Sequence, residues 1–193
     1  ELNPENAKAY NNRGNSYAKL KQYEKAIADY NRVIELNPKD KYAYNNRGLN
    51  YYYLEQYEKA ISDHTWAIEL DPEYTEAYNN RGNGYFYLEQ FEKAITDYTR
   101  SIELSSEYAP AYYNRGNCCA QLKQYKKAIA DYTHAIELNP EYAEAYDERG
   151  LSYYNLEQYE KAIADYTQAI ELNPEYKWSL EPKIKEIRQI RKN

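Results

Sequence analysis

Residues 41–74 read KYAYNNRGLNYYYLEQYEKAISDHTWAIELDPEY, and most of the chain consists of variant copies of this stretch. Gly48 belongs to a series of glycines that recur every 34 residues, and only Gly84 of the six glycines lies outside the series. A fixed period of this length predicts an array of stacked supersecondary units, each packed only on its neighbours. The series consists of Gly14, Gly48, Gly82, Gly116 and Gly150.

The period divides the chain into five copies, called repeats 1 to 5. They span residues 7–40, 41–74, 75–108, 109–142 and 143–176. Residues 1–6 begin with ELNP, the same four letters that occur near the ends of repeats 1, 4 and 5, so they look like the tail of a missing preceding repeat. Residues 177–193 have no counterpart in the repeats.

Each repeat carries two amphipathic helical patterns joined by a short polar link, and most repeats close with Asn-Pro or Asp-Pro, which ends a helix. The first pattern of repeat 2 places Tyr44, Arg47, Gly48, Tyr51 and Leu54 on one arc, and the second has apolar residues at i, i+3, i+4 spacing. Because glycine costs about 1 kcal/mol in a helix relative to alanine, its recurrence predicts a close helix approach. We expect the small Ala60 to lie opposite Gly48.

The spacing of Tyr44, Gly48, Tyr51, Ala60, His64 and Pro72 resembles the tetratricopeptide repeat. This resemblance implies an all-α fold: a right-handed α–α superhelix, or solenoid, of five 34-residue helix-turn-helix units. It also implies that the first helices line a concave groove that binds an extended peptide or a partner protein. Residues 177–193, with an apolar stripe of Leu180, Ile184 and Ile187 among basic residues, are expected to form a C-terminal capping helix.

Charge and composition exclude several function classes. The net charge is −6, and the last 17 residues carry six Lys/Arg against two Glu, which leaves the repeats acidic. An acidic surface is unsuited to phosphate contacts, so we expect no nucleic-acid binding. No apolar run approaches the ~20 residues of a membrane span. Two adjacent cysteines and two separate histidines match no metal or nucleophile pattern, so we expect no cofactor, no metal and no enzymatic activity.

Tyrosine excess identifies the candidate binding surface. Of 27 tyrosines, 21 occupy five recurring framework positions that we expect to be core, and the other six lie on first helices, on the side away from the packing arc. Contiguous exposed aromatics tend to mark interaction sites, although a tyrosine-rich surface is the alternative explanation. With neighbouring amides, the predicted peptide-binding set is Tyr42, Asn45, Asn46, Tyr52, Tyr53, Asn79, Asn80, Asn83, Phe86, Tyr87, Tyr113, Asn114 and Asn117.

The asparagines of the predicted peptide-binding set are expected to bind a peptide backbone, and there is one alternative explanation for them. Asn46, Asn80 and Asn114 belong to a series that resembles the asparagine ladder of the O-linked N-acetylglucosamine transferase superhelix, where such residues hold a peptide backbone. A primary amide can donate to and accept from a peptide group. The alternative is that these asparagines tie down a neighbouring helix end or face solvent. Glu148 breaks the series in repeat 5.

Two other functions remain open at this stage. The chain could be a structural spacer that forms a homo-oligomer through its exposed N-terminal edge and Trp66, or the regulatory arm of a larger enzyme.

Each repeat also pairs two opposite charges at a constant spacing. An arginine precedes each serial glycine, and an aspartate follows 16 residues later. A charge on a packing arc must be paired or reach water, so we predict a bidentate Arg–Asp bond between adjacent helices. The spacing leaves open whether the pair lies within a repeat or across a junction. The residues are Arg13, Arg47, Arg81, Arg115 and Arg149, with Asp29, Asp63, Asp97, Asp131 and Asp165.

The capping assignment predicts where stability is lost when residues 177–193 are deleted. Because each repeat is stabilised by its nearest neighbours, hydrogen exchange should accelerate most in repeat 5 and least in repeat 1. Equal acceleration in all five repeats, or none, would contradict the cap.

Overall fold

The computed structural model describes residues 6–190, which form eleven α-helices and one short 3-10 helix and contain no β-strand. The fold class predicted from the sequence, an all-α array of helix pairs, is confirmed. The predicted tail 1–6 lies outside the described residues except for Asn6, and so do residues 191–193 of the terminal segment. The helices are α1 (Ala7–Lys19), α2 (Tyr23–Leu36), α3 (Lys41–Tyr53), α4 (Tyr57–Leu70), α5 (Thr75–Tyr87), α6 (Phe91–Leu104), α7 (Ala109–Gln121), α8 (Tyr125–Leu138), α9 (Ala143–Asn155), α10 (Tyr159–Leu172) and α11 (Lys177–Ile190), with the 3-10 helix at Pro174–Tyr176.

The chain divides into two compact bodies, Glu1–Ser105 and Ser106–Asn193. The N-terminal body contains the three helix pairs α1/α2, α3/α4 and α5/α6, and the C-terminal body contains α7/α8, α9/α10 and α11. The division falls where Ser105-Ser106 replaces the Asn-Pro that closes other repeats. Within the N-terminal body each pair packs on the next, and the first helices α1, α3 and α5 are neighbours.

The two helices of a repeat are joined by the same tight turn each time. After α3, the amide N–H of Glu55 donates to the Tyr52 carbonyl and that of Gln56 to the Tyr51 carbonyl, both at 2.9 Å. These two bonds form a Schellman motif, which satisfies the last carbonyls of a helix. The motif needs a left-handed residue, and Glu55 supplies it with φ of 58°.

A large ring fills the space over each serial glycine. A Cβ placed on Gly82 would lie 2.6 Å from Cε1 of Tyr98, and one on Gly48 would lie 2.7 Å from the His64 ring. Any larger residue would push the first helix away from the second. The atoms nearest to a Cβ on Gly48 belong to His64, four positions after the fully buried Ala60 that was expected opposite this glycine.

The framework tyrosines differ in burial. Those over the glycines, Tyr30, Tyr98, Tyr132 and Tyr166, are fully buried, whereas the other framework positions are half-buried. All five framework positions were predicted to be core. Only the position over the glycine is fully buried in the structure.

The predicted Arg–Asp pairs form, and each lies within one repeat. Arg81 donates from Nε to Asp97 Oδ2 and from Nη2 to Asp97 Oδ1, both at 2.7 Å. The same two-bond geometry recurs in all five repeats. Arg81 Nη1 also donates to Thr65 Oγ1 of the preceding repeat, at 3.2 Å. The guanidinium thus joins the two helices of its own repeat and reaches the repeat before it.

The terminal helix α11 packs on α10 with the apolar stripe predicted from the sequence. Leu180, Ile184 and Ile187 are buried in one cluster with Ala162, Tyr166 and Ala169. The stripe therefore shields the last repeat from water, as a neighbouring repeat would.

Repeat 2 is unusual because an imidazole replaces the buried phenol. His64 is fully buried, its Nδ1 lies 3.1 Å from Asn45 Oδ1, and its Nε2 has no hydrogen-bond partner among the described residues. Asn80 Nδ2 also donates to Asn45 Oδ1, at 3.0 Å, so this oxygen is an acceptor and the proton of neutral His64 lies on Nδ1. Burial, assisted by the charge of Arg81, lowers the pKa of His64 to about 3.

Replacing Arg81 with Leu should destabilise the N-terminal body by ~3 kcal/mol, because it leaves a buried carboxylate without a partner. The side chains of Arg81 and Asp97 are only 18% and 6% exposed. Arg13 provides a matched control, since its side chain is 43% exposed and water can replace it beside Asp29. Urea denaturation should show a smaller loss for Arg13→Leu. A stabilising Arg81→Leu would contradict the structural role of the pair.

The lowered pKa of His64 predicts an acid-dependent loss of stability. In the unfolded chain His64 binds a proton below about pH 6.5, whereas in the folded protein it stays neutral down to about pH 3. The contribution is therefore fully present above pH 6.5 and is lost as the pH falls, by up to ~1.4 kcal/mol per pH unit. His64→Tyr, the residue of the other repeats, should reduce this slope between pH 6.5 and 5. Equal slopes for wild type and His64→Tyr would refute the prediction.

Candidate peptide-binding surface

A continuous row of seven aromatic rings, called the aromatic ladder, runs through the N-terminal body. Two stacked pairs form its supports: Tyr23 with Tyr53 and Tyr57 with Tyr87, each with ring centroids 5.1 Å apart and planes within 15°. In each pair the last residue of one first helix stacks on the first residue of the preceding second helix. The ladder consists of Tyr23, Tyr53, Tyr52, Tyr57, Tyr87, Phe86 and Phe91.

Tyr52 connects the two stacked pairs. Its ring meets those of Tyr53, Tyr57 and Tyr87 edge-on, with centroids 5.4 to 5.7 Å apart. Burial, together with a hydrogen bond to Tyr87, raises the pKa of Tyr52 well above its usual value. Tyr52 is therefore an uncharged structural element of the ladder at physiological pH.

Tyr53 and Tyr87 are the accessible rings of the ladder. They are 57% and 54% exposed, although each has one face covered by its stacked partner. Stacked and edge-to-face aromatic pairs contribute ~0.5–1.5 kcal/mol beyond their buried area. The two rings are thus exposed and held in place.

Hydrogen bonds fix the orientation of two amides near the ladder. The buried Tyr98 hydroxyl donates to Asn83 Oδ1 at 2.8 Å, so Asn83 Nδ2 is the side of the amide that remains available as a donor among the described residues. Asn80 is oriented in the opposite sense, because its Nδ2 donates to Asn45 Oδ1 and its own Oδ1 is left as an acceptor. The two amides lie one helical turn apart on α5, so the surface offers one donor and one acceptor.

Two residues of the predicted set are inaccessible. Asn45 and Asn79 are each 4% exposed, and Asn45 already accepts the bonds from His64 and Asn80. Their side chains point into the packing between repeats, so the expectation that they contact a ligand is corrected. Asn46 is half-buried on the same helix as Asn45.

Tyr42 is exposed but lies apart from the ladder. Ten residues separate it from Tyr52 on α3, which corresponds to ~15 Å of helix. Its ring packs edge-on against Tyr74 at 5.5 Å, and the Lys41 ammonium lies 4.9 Å from its centroid. This second cluster belongs to the opposite ends of the first helices.

The C-terminal body carries the remaining predicted residues, Tyr113, Asn114 and Asn117, all half-buried. Asn117 Oδ1 accepts from the Tyr132 hydroxyl at 2.8 Å, which repeats the geometry of Asn83. The Tyr113 ring lies 4.9 Å from that of Tyr142, and burial raises the pKa of Tyr113.

Sequence reasoning missed two features of these surfaces. It assigned Tyr23 and Tyr57 to the core, whereas they support the ladder. The signal was the 30-residue spacing of Tyr23–Tyr53 and Tyr57–Tyr87. It noted Glu148 as the break in the asparagine series but passed over the adjacent Asp147, which also replaces an amide on α9. Burial raises the pKa of both, and for Glu148 the neighbouring Asp147 adds to this effect.

The described residues contain no group of three or more potential metal ligands, and none of their helices has the length and hydropathy of a membrane span. Cys118 and Cys119 are both buried. His134 is exposed beside Glu137. No nucleophile and base come together among these groups.

Comparison with known proteins places the chain in a family. The tetratricopeptide repeat pattern matches residues 7–40, 42–74, 75–108, 109–142 and 143–176. A crystal structure of YrrB, described as a TPR protein with an unusual peptide-binding site, is 27% identical and covers 94% of this chain and 93% of its own, with a TM-score of 0.72. The MamA protein is 26% identical over 87% of this chain and 92% of its own, with a TM-score of 0.75.

A third solved structure and the curated proteins complete the comparison. TTC0263, a thermophilic TPR protein of Thermus thermophilus, is 20% identical, covers 95% of this chain and 100% of its own, and has a TM-score of 0.75, which shows the fold alone. No curated protein matches the sequence. Five consecutive matches to one pattern and a shared fold lead to one conclusion: the chain belongs to the tetratricopeptide repeat family.

Proposed function

We propose that the N-terminal body binds an extended peptide, or an unfolded segment of a partner protein, across the aromatic ladder. Tetratricopeptide repeat proteins are generally protein-interaction scaffolds without catalytic activity. The observation that carries the finer proposal is that Tyr53 and Tyr87 are more than half exposed and yet held by stacking on Tyr23 and Tyr57. Tyrosine is enriched among the few residues that supply most of the energy of an interface.

Rigidity is the physical reason why these rings suit binding. A side chain that is ordered only in the complex loses ~0.5–1.5 kcal/mol of conformational freedom on binding. Tyr53 and Tyr87 are already ordered by their stacked partners, so less of this loss opposes association. A flat, preordered ring also presents apolar area that tolerates many partner side chains.

The amides on α5 support recognition of a peptide backbone. Asn83 offers an N–H donor and Asn80 a carbonyl acceptor on successive turns of the helix. A peptide group has one donor and one acceptor, so these two amides can hold a backbone without reading its side chains. Asn46 is placed to extend this contact on α3. Tyr113, Asn114 and Asn117 are proposed to act in the same way within the C-terminal body.

Charge makes a small contribution to the proposed site. The arginines on the first helices are paired with aspartates of their own repeats. No ammonium or guanidinium group of the described residues lies over a ring of the ladder. Binding should therefore depend weakly on salt, unlike binding through exposed charges.

The test is binding by a double variant, Tyr53→Ala with Tyr87→Ala. Peptides selected from a displayed random library on the wild-type protein should bind this variant ~2–4 kcal/mol more weakly. Loss of the two stacked contacts should also lower the melting temperature, so affinities are compared where circular dichroism shows both proteins folded.

Trp66 supplies the matched control. It is 51% exposed on α4 and stacks on Tyr44, away from the ladder. Trp66→Ala should leave peptide affinity unchanged. Equal affinity of the double variant and wild type, or loss only in Trp66→Ala, would move the site off the ladder, and a library with no enriched peptide would contradict peptide binding altogether.

A further inference from the structure

The ladder has a consistent chemical character that narrows the class of partner. Its rings are aromatic and apolar, and the most exposed of them are Tyr53 and Tyr87. These two rings belong to neighbouring repeats, and both touch the less exposed ring of Tyr52. Such a surface fits flat, compact apolar groups placed at intervals along an extended chain.

The polar groups beside the ladder include a donor at Asn83 and an acceptor at Asn80. The Nδ2 group of Asn83 lies one helical turn before Tyr87, and its companion Oδ1 is occupied by the Tyr98 hydroxyl. The phenol hydroxyls of Tyr53 and Tyr87 can donate as well. A ligand carbonyl can therefore accept a hydrogen bond from Asn83 close to the exposed rings.

Other peptide-recognition modes fit the ladder poorly. The described residues contain no β-strand whose edge could accept an added strand. Recognition of phosphorylated or acidic motifs needs free arginines, but Arg13, Arg47 and Arg81 are each held by an aspartate with two hydrogen bonds. A helical ligand needs a deep apolar groove, whereas the accessible part of the ladder is a set of ring faces. Of the remaining modes, the docking of polyproline II segments is the one that uses aromatic-lined surfaces.

We propose that the occupant of the ladder is a proline-rich segment in the polyproline II conformation. Proline has no backbone N–H, and its carbonyls in this conformation are free of internal hydrogen bonds. Its pyrrolidine rings pack on the exposed faces of Tyr53 and Tyr87, and a carbonyl accepts from Asn83. The segment is rigid before binding, so two preordered surfaces meet and little conformational freedom is lost. This inference rests on the proposed function, because it specifies the ligand of the same surface.

The probe is a synthetic, blocked and uncharged proline-rich peptide of about ten residues, roughly 30 Å long in this conformation. The comparison peptide has every proline replaced by alanine. Isothermal titration calorimetry with the full chain should give an affinity at least ~10-fold higher for the proline peptide, and Tyr53→Ala with Tyr87→Ala should remove at least that factor. Both values should change little between ~0.05 and ~0.5 M salt.

Two further variants separate the contacts. Asn83→Asp keeps the acceptor for Tyr98 but replaces the free donor with an acceptor, so it should weaken the proline peptide. Tyr53→Leu with Tyr87→Leu keeps apolar bulk without flat rings and serves where the alanine variant is poorly folded; it should also weaken binding. Trp66→Ala should bind as wild type does.

The outcomes distinguish the proposed polyproline II ligand from the proposed peptide binding on the ladder. If both peptides bind equally, or only library-selected peptides without proline bind, the polyproline II inference is wrong while peptide binding on the ladder stands. If proline peptides bind but Asn83→Asp and the ladder variants bind as tightly as wild type, the placement on the ladder is wrong. If no peptide of any kind binds, the proposed function itself fails.

Discussion

The close approach of two helices at a glycine is the constraint on which each repeat depends. A side chain on Gly82 would collide with Tyr98, so the first helix can approach only because this position has no Cβ. The hydroxyl of the ring that fills the space donates to Asn83, the residue that follows this glycine on the first helix. One contact therefore sets both the spacing of the core and the orientation of a surface amide.

The charged pair beside this contact is a consequence of the same packing. Arg81 and Asp97 lie where the two helices are close, so neither charge is well solvated and each requires the other. In the bidentate geometry, the Nε and Nη2 groups of Arg81 both donate to the Asp97 carboxylate. This pairing also removes the first-helix arginines from the ligand surface, which leaves aromatic rings and amides as its accessible chemistry.

Departures from the repeat show which contacts are coupled. Repeat 2 has Leu49 and His64 where repeats 1, 3 and 4 have the asparagine and tyrosine of the hydrogen-bonded pair. The shorter imidazole bonds to Asn45 instead, and Asn45 in turn holds Asn80 of the next repeat. The buried imidazole is thus linked through Asn45 to an amide on the candidate surface one repeat away.

The sequence by itself determined the helices and their pairing chemistry, because the 34-residue period, the spacing of apolar residues and the recurring Arg and Asp are local patterns. That spacing was equally compatible with Arg–Asp pairing across a junction, and only the structure placed each pair within one repeat. Tertiary structure also decided accessibility: Asn45 is buried beside the half-buried Asn46 because the helical step between successive residues turns it toward the next repeat. The aromatic ladder joins rings on different helices, and these contacts depend on how one repeat packs on the next, which no pattern within a single repeat specifies.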